Sequence, residues 1–381
     1  MPSVSIAIAI LLISFVLLLV IKVPVSFALG LSSVITAIYF EVPIMVIVQK
    51  MVKGIESPSL MAIPFFILAG EIMGAGGISR RIIAMSNVMV GRVRGGLAQV
   101  NILASMFFGG ISGSAVADTS SIGAMLIPMM KENGYDDDYS VAVTVTSSCQ
   151  GVIIPPSHNM IIYSLAAGGL SVGKLFLGGF LPGVILGVAL MIVSYIIAVK
   201  RGYPKGEKFS FKDSVKITMN AFFGLLTAVI IIGGVLSGVF TATESAAVAC
   251  VYAFFVTFFV YKEIKIKAMS RILYNSLKTL ALVLSLIATA KAFGHMLALL
   301  QVPALATKSL LAITDNKILL LLLINILILI LGCIMDMAPL ILILTPILLP
   351  VVTALGMDPI QFGVVLILNL AIGLCTPPAC P

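Results

Sequence analysis

The sequence predicts an all-α polytopic membrane protein made of two inverted halves. Three observations predict it: an apolar composition, apolar runs of membrane-spanning length, and Gly and Pro landmarks that recur in both halves. Of the 381 residues, 60% are hydrophobic and 10% are charged, whereas soluble domains have roughly 45–50% apolar and about 25% charged residues. Runs at 4–21, 218–236 and 318–334 are long enough to cross a hydrocarbon core about 30 Å thick. We therefore expect the chain to lie in a lipid bilayer.

Basic residues mark the topology of the chain. The longest polar stretch, 200–216, holds six Lys or Arg against two acids and predicts a cytoplasmic linker between the halves. With residues 95–131 as a re-entrant hairpin, the crossings before this linker are 4–22, 23–41, 58–77, 138–165 and 172–199. Their odd number inverts the second half and places the amino terminus outside. The formal charge of +8 then reflects topology, and we expect no nucleic-acid partner.

Landmark residues recur at one fixed spacing. We call the separation along the chain between Pro155-Pro156 and Pro377-Pro378 the repeat offset. The same offset joins Pro128 with Pro350, Gly134 with Gly356, Gly151 with Gly373, and Gly110 with Gly332. Transporters are often built from such repeats. The first half is then 1–199, with hairpin 95–131 and broken helix 138–165, and the second is 217–381, with hairpin 317–353 and broken helix 360–381.

Three further stretches, 42–56, 78–94 and 262–278, have helical patterning with a charged face. Amphipathic helices of this kind lie in the membrane interface. We therefore expect these stretches to lie beside the spans and to brace them.

Clusters of Gly, Ser and Pro interrupt four membrane segments, at 109–118, 151–157, 334–339 and 373–378. Hydrocarbon tolerates unpaired backbone only where protein or a water-filled cavity covers it. Freed carbonyls and helix carboxyl ends suit a hard cation such as sodium, and helix amino ends suit a carboxylate. The candidate sodium-binding residues are Ser112, Gly113, Ser114, Asp118, Gly151, Pro155, Asp336, Met337, Ala338, Gly373 and Thr376. The alternative is that the clusters are Pro kinks and small-residue packing notches.

Polar and ionisable residues within apolar segments supply further candidates, because such residues are costly in a membrane and usually functional. Asp118 and Asp336 flank the two hairpin tips, where they either coordinate a cation or cap a helix. The candidate substrate-binding residues are Ser157, His158 and Asn159 after the first break, and Lys291 and His295 one helical turn apart. Lys291 alternatively pairs with a buried acid, and we expect Glu244 to cap helix 245–261.

Motifs for other chemistries are weak. Gly110-Ile111-Ser112-Gly113 matches the G-x-S-G string of rhomboid-type intramembrane proteases, with His158 or His295 as the base. That hypothesis leaves the second hairpin and the second Pro-Pro pair unexplained, so we prefer a transporter to an enzyme. The five cysteines show neither zinc spacing nor a disulfide pattern, and we find no nucleotide or transition-metal motif. We expect no cofactor, and an ion gradient or a partner as the energy source.

Several strings resemble the large membrane subunit of tripartite ATP-independent periplasmic (TRAP) transporters, within the wider ion-transporter superfamily. They are IPFFILAGEIM at 63–73, SGSAVADT at 112–119, IPPS at 154–157, GVFT with TE at 238–244, and GL with TPP at 373–378. Position 242 is Ala where the family usually has Pro. The resemblance runs over the whole chain.

The resemblance implies an elevator-type carrier, in which a transport domain of two hairpins and two broken helices slides against a scaffold. It implies Na⁺ as the coupling ion, bound at the hairpin tips and the Pro-Pro breaks. The implied partners are a small four-helix membrane subunit and a periplasmic protein that delivers a carboxylate, such as a C4-dicarboxylate or a sugar acid. The resemblance thus implies that the chain is a permease of the bacterial inner membrane. A single-component sodium-coupled dicarboxylate or anion carrier of the same superfamily is the alternative.

The chain ends at Pro381, directly after the second Pro-Pro pair. By the repeat, the first half continues from Ser157 to Val199, so we expect about forty more residues in the second half. A chain without them is expected to lack one span and part of one cation site, and to be impaired in transport.

Overall fold

The computed structural model describes residues 2–206, 209–312, 314 and 316–376, apart from the side chains at 58, 59, 111 and 112. Over these residues the chain forms seventeen α-helices and no β-strand, with one isolated bridge between Arg94 and Lys205. The prediction of an all-α chain is confirmed.

Ten helices of the described residues precede the linker. They are α1 (Val4–Val20), α2 (Val25–Tyr39), α3 (Ile44–Ile55), α4 (Ala62–Ala75), α5 (Ile78–Val90), α6 (Gly96–Ser112), α7 (Ala115–Glu132), α8 (Asp137–Gly151), α9 (His158–Ala166) and α10 (Val172–Arg201), with a 3₁₀ turn at Pro58–Met61. α6 and α7 form the first hairpin. α8 and α9 flank the first Pro-Pro break.

Seven helices follow the linker. They are α11 (Phe211–Leu236), α12 (Ala242–Phe255), α13 (Ile266–Leu299), α14 (Val302–Leu311), α15 (Lys317–Gly332), α16 (Met337–Ala354) and α17 (Pro359–Leu374), and a π turn at Val256–Val260 extends α12. Because α10 runs to Arg201 and α11 begins at Phe211, the loop between them is shorter than the predicted linker.

Glu244 caps the start of α12, as predicted. Its carboxylate accepts from the Thr241 N–H at 2.8 Å, and the Glu244 N–H donates to the Thr241 hydroxyl at 3.2 Å. This reciprocal pair is a capping box, which satisfies two backbone donors at the helix end.

Helix bounds recur at the repeat offset. α7 and α16 are equivalent at both ends, since the offset equates Ala115 with Met337 and Glu132 with Ala354, and α8 and α17 are equivalent at their starts. The offset also equates α2 with α12, and α4 with the C-terminal half of α13. Accordingly, α2 packs against α13 and α12 packs against α4. The inversion of the second half stays a prediction.

The stretch 262–278 is not a separate interfacial helix, and that prediction is wrong. Most of it belongs to α13, a continuous helix of 34 residues. At the equivalent positions of the first half, α3 and α4 are separate helices on either side of Glu56-Ser57-Pro58. Proline disfavours the helical conformation in the residue before it. The repeat offset places Lys278-Thr279-Leu280 there in α13, so the helix continues.

Five helices of the described residues are long and apolar enough to cross a membrane, or six when the bent pair α4 and α5 counts as one span. α4 and α5 meet at 71°. Large apolar side chains are exposed on α1, α10 and α11, among them Val20, Leu181 and Phe222. Such surfaces are typical of a protein that contacts lipid or another membrane protein.

Candidate functional site

A left-handed glycine builds the first hairpin tip. α6 ends at Ser112, and Gly113 turns the chain at φ +61°, a conformation that glycine adopts without steric cost. Ser114 is the N-cap of α7, and its hydroxyl accepts from the Ala117 N–H at 3.4 Å. A Cβ added to Gly113 would lie 3.1 Å from the backbone nitrogen of His158. The tip therefore lies directly against the start of α9.

The first Pro-Pro break lies between the two hairpins. Pro155 and Pro156 have no N–H, so carbonyls of the preceding turn lose their helical donors. A Cβ added to Gly110 would lie 2.9 Å from the Pro155 carbonyl oxygen, which places that carbonyl beside the first hairpin. Just after the break, the Asn159 amide donates to the Met337 sulfur of the second hairpin at 4.0 Å. The break thus contacts both hairpins.

Each hairpin meets a broken helix through a pair of glycines. A Cβ added to Gly109 would lie 2.3 Å from the Gly151 Cα, and one added to Gly373 would lie 2.8 Å from the Gly332 Cα. Cβ atoms do not approach other atoms so closely, so both crossings require glycine. Gly151 and Gly373, predicted as sodium-binding residues, therefore have a packing role in the structure.

Asp118 is fully buried in the first turn of α7. The hydroxyls of Ser105 and Ser148 lie beside its carboxylate, but within the described part of the chain neither carboxylate oxygen meets a donor at hydrogen-bond distance and angle. A buried carboxylate without a partner is costly. Asp336 differs, because it is the exposed N-cap of α16 and its side chain makes no capping hydrogen bond. The repeat offset equates Asp336 with Ser114, the N-cap of α7.

A strip of buried polar side chains joins α6 to α8. Asn101 donates to the Thr144 hydroxyl at 2.6 Å, Ser105 donates to Ser147 at 3.2 Å, and Ser147 donates to the Asn101 carbonyl oxygen at 3.3 Å. All four side chains are fully buried. The strip lies outside the predicted site residues. Its sequence signal is the spacing of Asn101 and Ser105, one helical turn apart in a largely apolar helix.

A cavity of about 640 Å³ lies beside the first tip, and we call it the tip cavity. α4, α7 and the N-terminal half of α13 line it, together with Ser114 and His158. Its charged wall residues are Glu71 and Arg271, and its polar ones include Ser120, Ser121, Asn275 and Thr279. No sequence signal singles out Arg271, because it is one of several basic residues in a stretch predicted to be interfacial.

A second cavity, of about 280 Å³, holds two other predicted substrate residues, and we call it the lysine cavity. Its lining residues are Lys50, Lys291 and His295 with Ala166, Ala290, Gly294, Leu342 and Pro346. Lys291 Nζ donates to the Leu165 carbonyl of α9 at 3.3 Å. The ion pairs of the described residues do not include Lys291, so its predicted pairing with a buried acid is not seen there. Of the predicted substrate residues, His158 thus lines the tip cavity and Lys291 and His295 line the lysine cavity, whereas Ser157 and Asn159 line neither.

The remaining predicted residues lie at the first break and the second tip. Ser157 is the fully buried N-cap of α9, and its hydroxyl has no partner among the described residues. Ala338 follows Met337 in the first turn of α16. The Thr376 hydroxyl lies 2.6 Å from the Gly373 carbonyl oxygen, to which it donates, and 2.8 Å from the Cys333 sulfur. The Ser112 side chain, Pro377 and Pro378 lie outside the described residues.

Comparison with known proteins places the chain among transporters. Residues 12–380 match the family described as tripartite ATP-independent periplasmic transporter, DctM component. The chain is 42% identical over 330 residues to the sialic acid TRAP transporter large permease protein SiaM of Vibrio cholerae, a match that covers 87% of this chain and 77% of that protein. It is 39% identical over 352 residues to the C4-dicarboxylate TRAP transporter large permease protein DctM of Pseudomonas aeruginosa, covering 92% and 82%.

The fold is similar to that of the YdaH transporter of Alcanivorax borkumensis, with a TM-score of 0.55 and 13% identity over 82% of this chain and 75% of that one. The family match confirms the resemblance seen in the motifs and favours a transporter over the intramembrane protease hypothesis. This chain belongs to the DctM-component family of TRAP transporters, a family of multi-pass membrane permeases.

Proposed function

We propose that the chain is the large permease subunit of a TRAP transporter that uses a sodium gradient to import a carboxylate across the bacterial inner membrane. Two relatives are named for sialic acid and for C4-dicarboxylates, and both ligands carry carboxylates. The proposed partners are a small four-helix membrane subunit and a periplasmic protein that delivers the substrate.

The observation that carries the sodium proposal is the buried carboxylate of Asp118, which is unpaired among the described residues. We propose that Na⁺ binds there, with the hydroxyls of Ser105 and Ser148 as further ligands, because hard cations prefer oxygen ligands. Backbone carbonyls freed at the breaks of membrane helices suit the same ion. The other residues proposed for sodium are Ser112, Gly113, Ser114, Gly151 and Pro155 near the first tip, and Asp336, Met337, Ala338, Gly373 and Thr376 near the second.

The tip cavity is the proposed substrate site. Its volume of about 640 Å³ lies within the range of roughly 300–1,000 Å³ that is usual for small-molecule sites. Arg271 provides a guanidinium, which binds a carboxylate through two parallel hydrogen bonds. His158 contributes from α9, and Ser157 and Asn159 adjoin it at the start of that helix.

The position of the tip cavity supports an elevator mechanism. α4 and α13 line one part of its wall, and α7 and the start of α9 line another. We propose that α6–α9 and α15–α17 move together against a scaffold of α1–α5 and α11–α14. The glycine crossings would hold each hairpin to its broken helix during that motion, so that the sodium and substrate sites move as one body.

Uptake into proteoliposomes tests the proposal. The chain, as given and with the further residues that the repeat predicts for its second half, is reconstituted with its small membrane subunit. Labelled sialic acid and succinate are offered with an inward sodium gradient, with and without the periplasmic protein. We expect uptake that requires both the gradient and the periplasmic protein. Sodium-driven uptake without that protein would instead favour the single-component carrier. A folded complex that takes up neither ligand with all components present would contradict the proposal.

A pair of matched variants tests the substrate site. Arg271→Gln removes a positive charge from the tip cavity, and a charge-assisted hydrogen bond is worth about 1.5–3 kcal/mol. We therefore expect uptake at low substrate concentration to fall by about tenfold or more. Lys267→Gln removes an exposed charge one turn earlier in α13, outside the cavity wall, and should leave uptake unchanged.

A further inference from the structure

Among the described residues that line it, the lysine cavity has basic side chains and no acidic one. Lys50 of α3 and Lys291 and His295 of α13 line it, and its other described lining residues are apolar. The ion pairs of the described residues include neither Lys50 nor Lys291. A charge in partly apolar surroundings is stabilised by a paired opposite charge. A bound anion would supply the opposite charge that neither lysine has among the described residues.

Lys291 is fixed by packing and by one hydrogen bond, and its ammonium has further N–H donors. A Cβ added to Gly54 would lie 2.7 Å from Lys291 Cγ, so the lysine stem packs directly on α3. Its ammonium donates to the Leu165 carbonyl at 3.3 Å. An ammonium has three N–H donors, and one hydrogen bond leaves two for a ligand in the cavity.

The lysine cavity and the tip cavity occupy corresponding places in the two halves. The tip cavity is lined by α4, α7 and residues 268–283 of α13, and the lysine cavity by α3, α16 and residues 290–295 of α13. Residues equated by the repeat offset face the two cavities: Ser120 and Leu342, and Ile272 and Lys50. The lysine cavity therefore has its own walls and is not an extension of the tip cavity.

We propose that the lysine cavity is a second anion site, which binds one small dicarboxylate separately from the tip cavity. The ligand class rests on the proposed function. The volume of about 280 Å³, against about 640 Å³ for the tip cavity, favours a four-carbon acid over a larger sugar acid. Lys50 and Lys291 pair with the two carboxylates, and His295 lies at the same wall.

The two histidines of the chain allow each cavity to be followed separately. His158 lines the tip cavity and His295 lines the lysine cavity. The chain is labelled with ¹⁵N-histidine, assembled with its unlabelled small membrane subunit and placed in phosphatidylcholine nanodiscs. Succinate is then added while the imidazole signals are recorded by NMR. A His158→Gln sample assigns the signals. We expect the His295 signal to shift and saturate.

Matched lysine variants make the test specific. Lys50→Gln should weaken the succinate effect on His295 by about tenfold or more, because it removes one of the two fixed charges. Lys53 lies on the same helix, is exposed and does not line the cavity. Lys53→Gln should therefore leave the succinate titration of the His295 signal unchanged. Equal effects of the two variants would overturn the proposal.

The remaining outcomes separate this site from the proposed function. If succinate shifts the His158 signal and not the His295 signal, the second site is overturned and the tip cavity remains the proposed substrate site. A signal that shifts only when phosphatidylglycerol is added to the nanodiscs assigns the cavity to a lipid phosphate and also overturns it. Saturable binding at His295 without any sodium-driven uptake supports the second site and contradicts the proposed transport function.

Discussion

Gly109 of α6 lies so close to Gly151 of α8 that a Cβ added to Gly109 would come within 2.3 Å of the Gly151 Cα. Gly332 and Gly373 make the corresponding contact between α15 and α17. Backbone therefore meets backbone where each hairpin crosses a broken helix. The first crossing lies beside the buried carboxylate of Asp118, since a Cβ on Gly151 would lie 3.6 Å from its Oδ2.

Gly109→Ala should destabilise the protein, because the added methyl group has no room. Overpacking of this kind costs about 1–3 kcal/mol. The thermal unfolding midpoint of the purified complex measures the effect. Gly233→Ala in α11 is the control, since no atom lies within 4 Å of its added Cβ, and alanine is favoured over glycine in helices. Equal destabilisation by both variants would contradict the close crossing.

Asp118→Asn should weaken stabilisation by sodium, because it removes the carboxylate of the sodium site proposed at the first tip. A ligand that binds only the folded state raises its stability in proportion to the logarithm of its concentration. We expect NaCl, compared with choline chloride, to raise the unfolding midpoint of the wild type more than that of Asp118→Asn. A wild type that is indifferent to sodium would count against this site.

Asp136 gives a pH dependence outside the membrane segments. The Tyr203 hydroxyl and the Arg201 guanidinium donate to its Oδ2 at 2.7 and 2.6 Å, which holds the pKa of this carboxyl below its usual value of 3.8. A lowered folded-state pKa stabilises the fold above the unfolded value, and the contribution is lost as the pH falls through the folded one. Asp136→Asn should therefore lower the unfolding midpoint at pH 7, and the difference should shrink below about pH 4. A pH-independent difference would contradict this assignment.

Thr241→Ala should weaken the start of α12. The Thr241 hydroxyl accepts from the Glu244 N–H at 3.2 Å, and loss of such a cap costs about 1 kcal/mol. Glu244→Gln retains a side-chain oxygen that can accept from the Thr241 N–H, so it should cost less. Unfolding midpoints of the two variants check the order, and a larger loss for Glu244→Gln would contradict it.

The backbone features of the site were predictable from the sequence because single residues determine them. Pro155 and Pro156 break a helix wherever they occur within one, and Gly113 permits a left-handed turn. The hairpin of α6 and α7 follows from the Gly and Ser cluster between two apolar runs. The capping role of Glu244 was predictable in the same way, from its spacing to Thr241.

The grouping of side chains was not predictable, because it depends on how distant helices pack. His158 lines the tip cavity, whereas Lys291 and His295 line the lysine cavity. Lys50 of α3 also lines the lysine cavity. Arg271 lines the tip cavity because α13 continues through a stretch whose charged face suggests an interfacial helix. Asp118 and Asp336 both flank tips, but only Asp118 is buried, a difference that the two sequences around them do not reveal.

The most direct test of the central claim is the sodium dependence of carboxylate uptake by wild type, Asp118→Asn and Asp213→Asn, reconstituted with the two partner proteins. Asp213 is an exposed acid in the first turn of α11 and serves as the charge-matched control. We predict sodium-driven uptake by wild type and Asp213→Asn, and a weaker sodium dependence in Asp118→Asn. An Asp118→Asn protein that takes up the carboxylate with the wild-type sodium dependence would contradict the account.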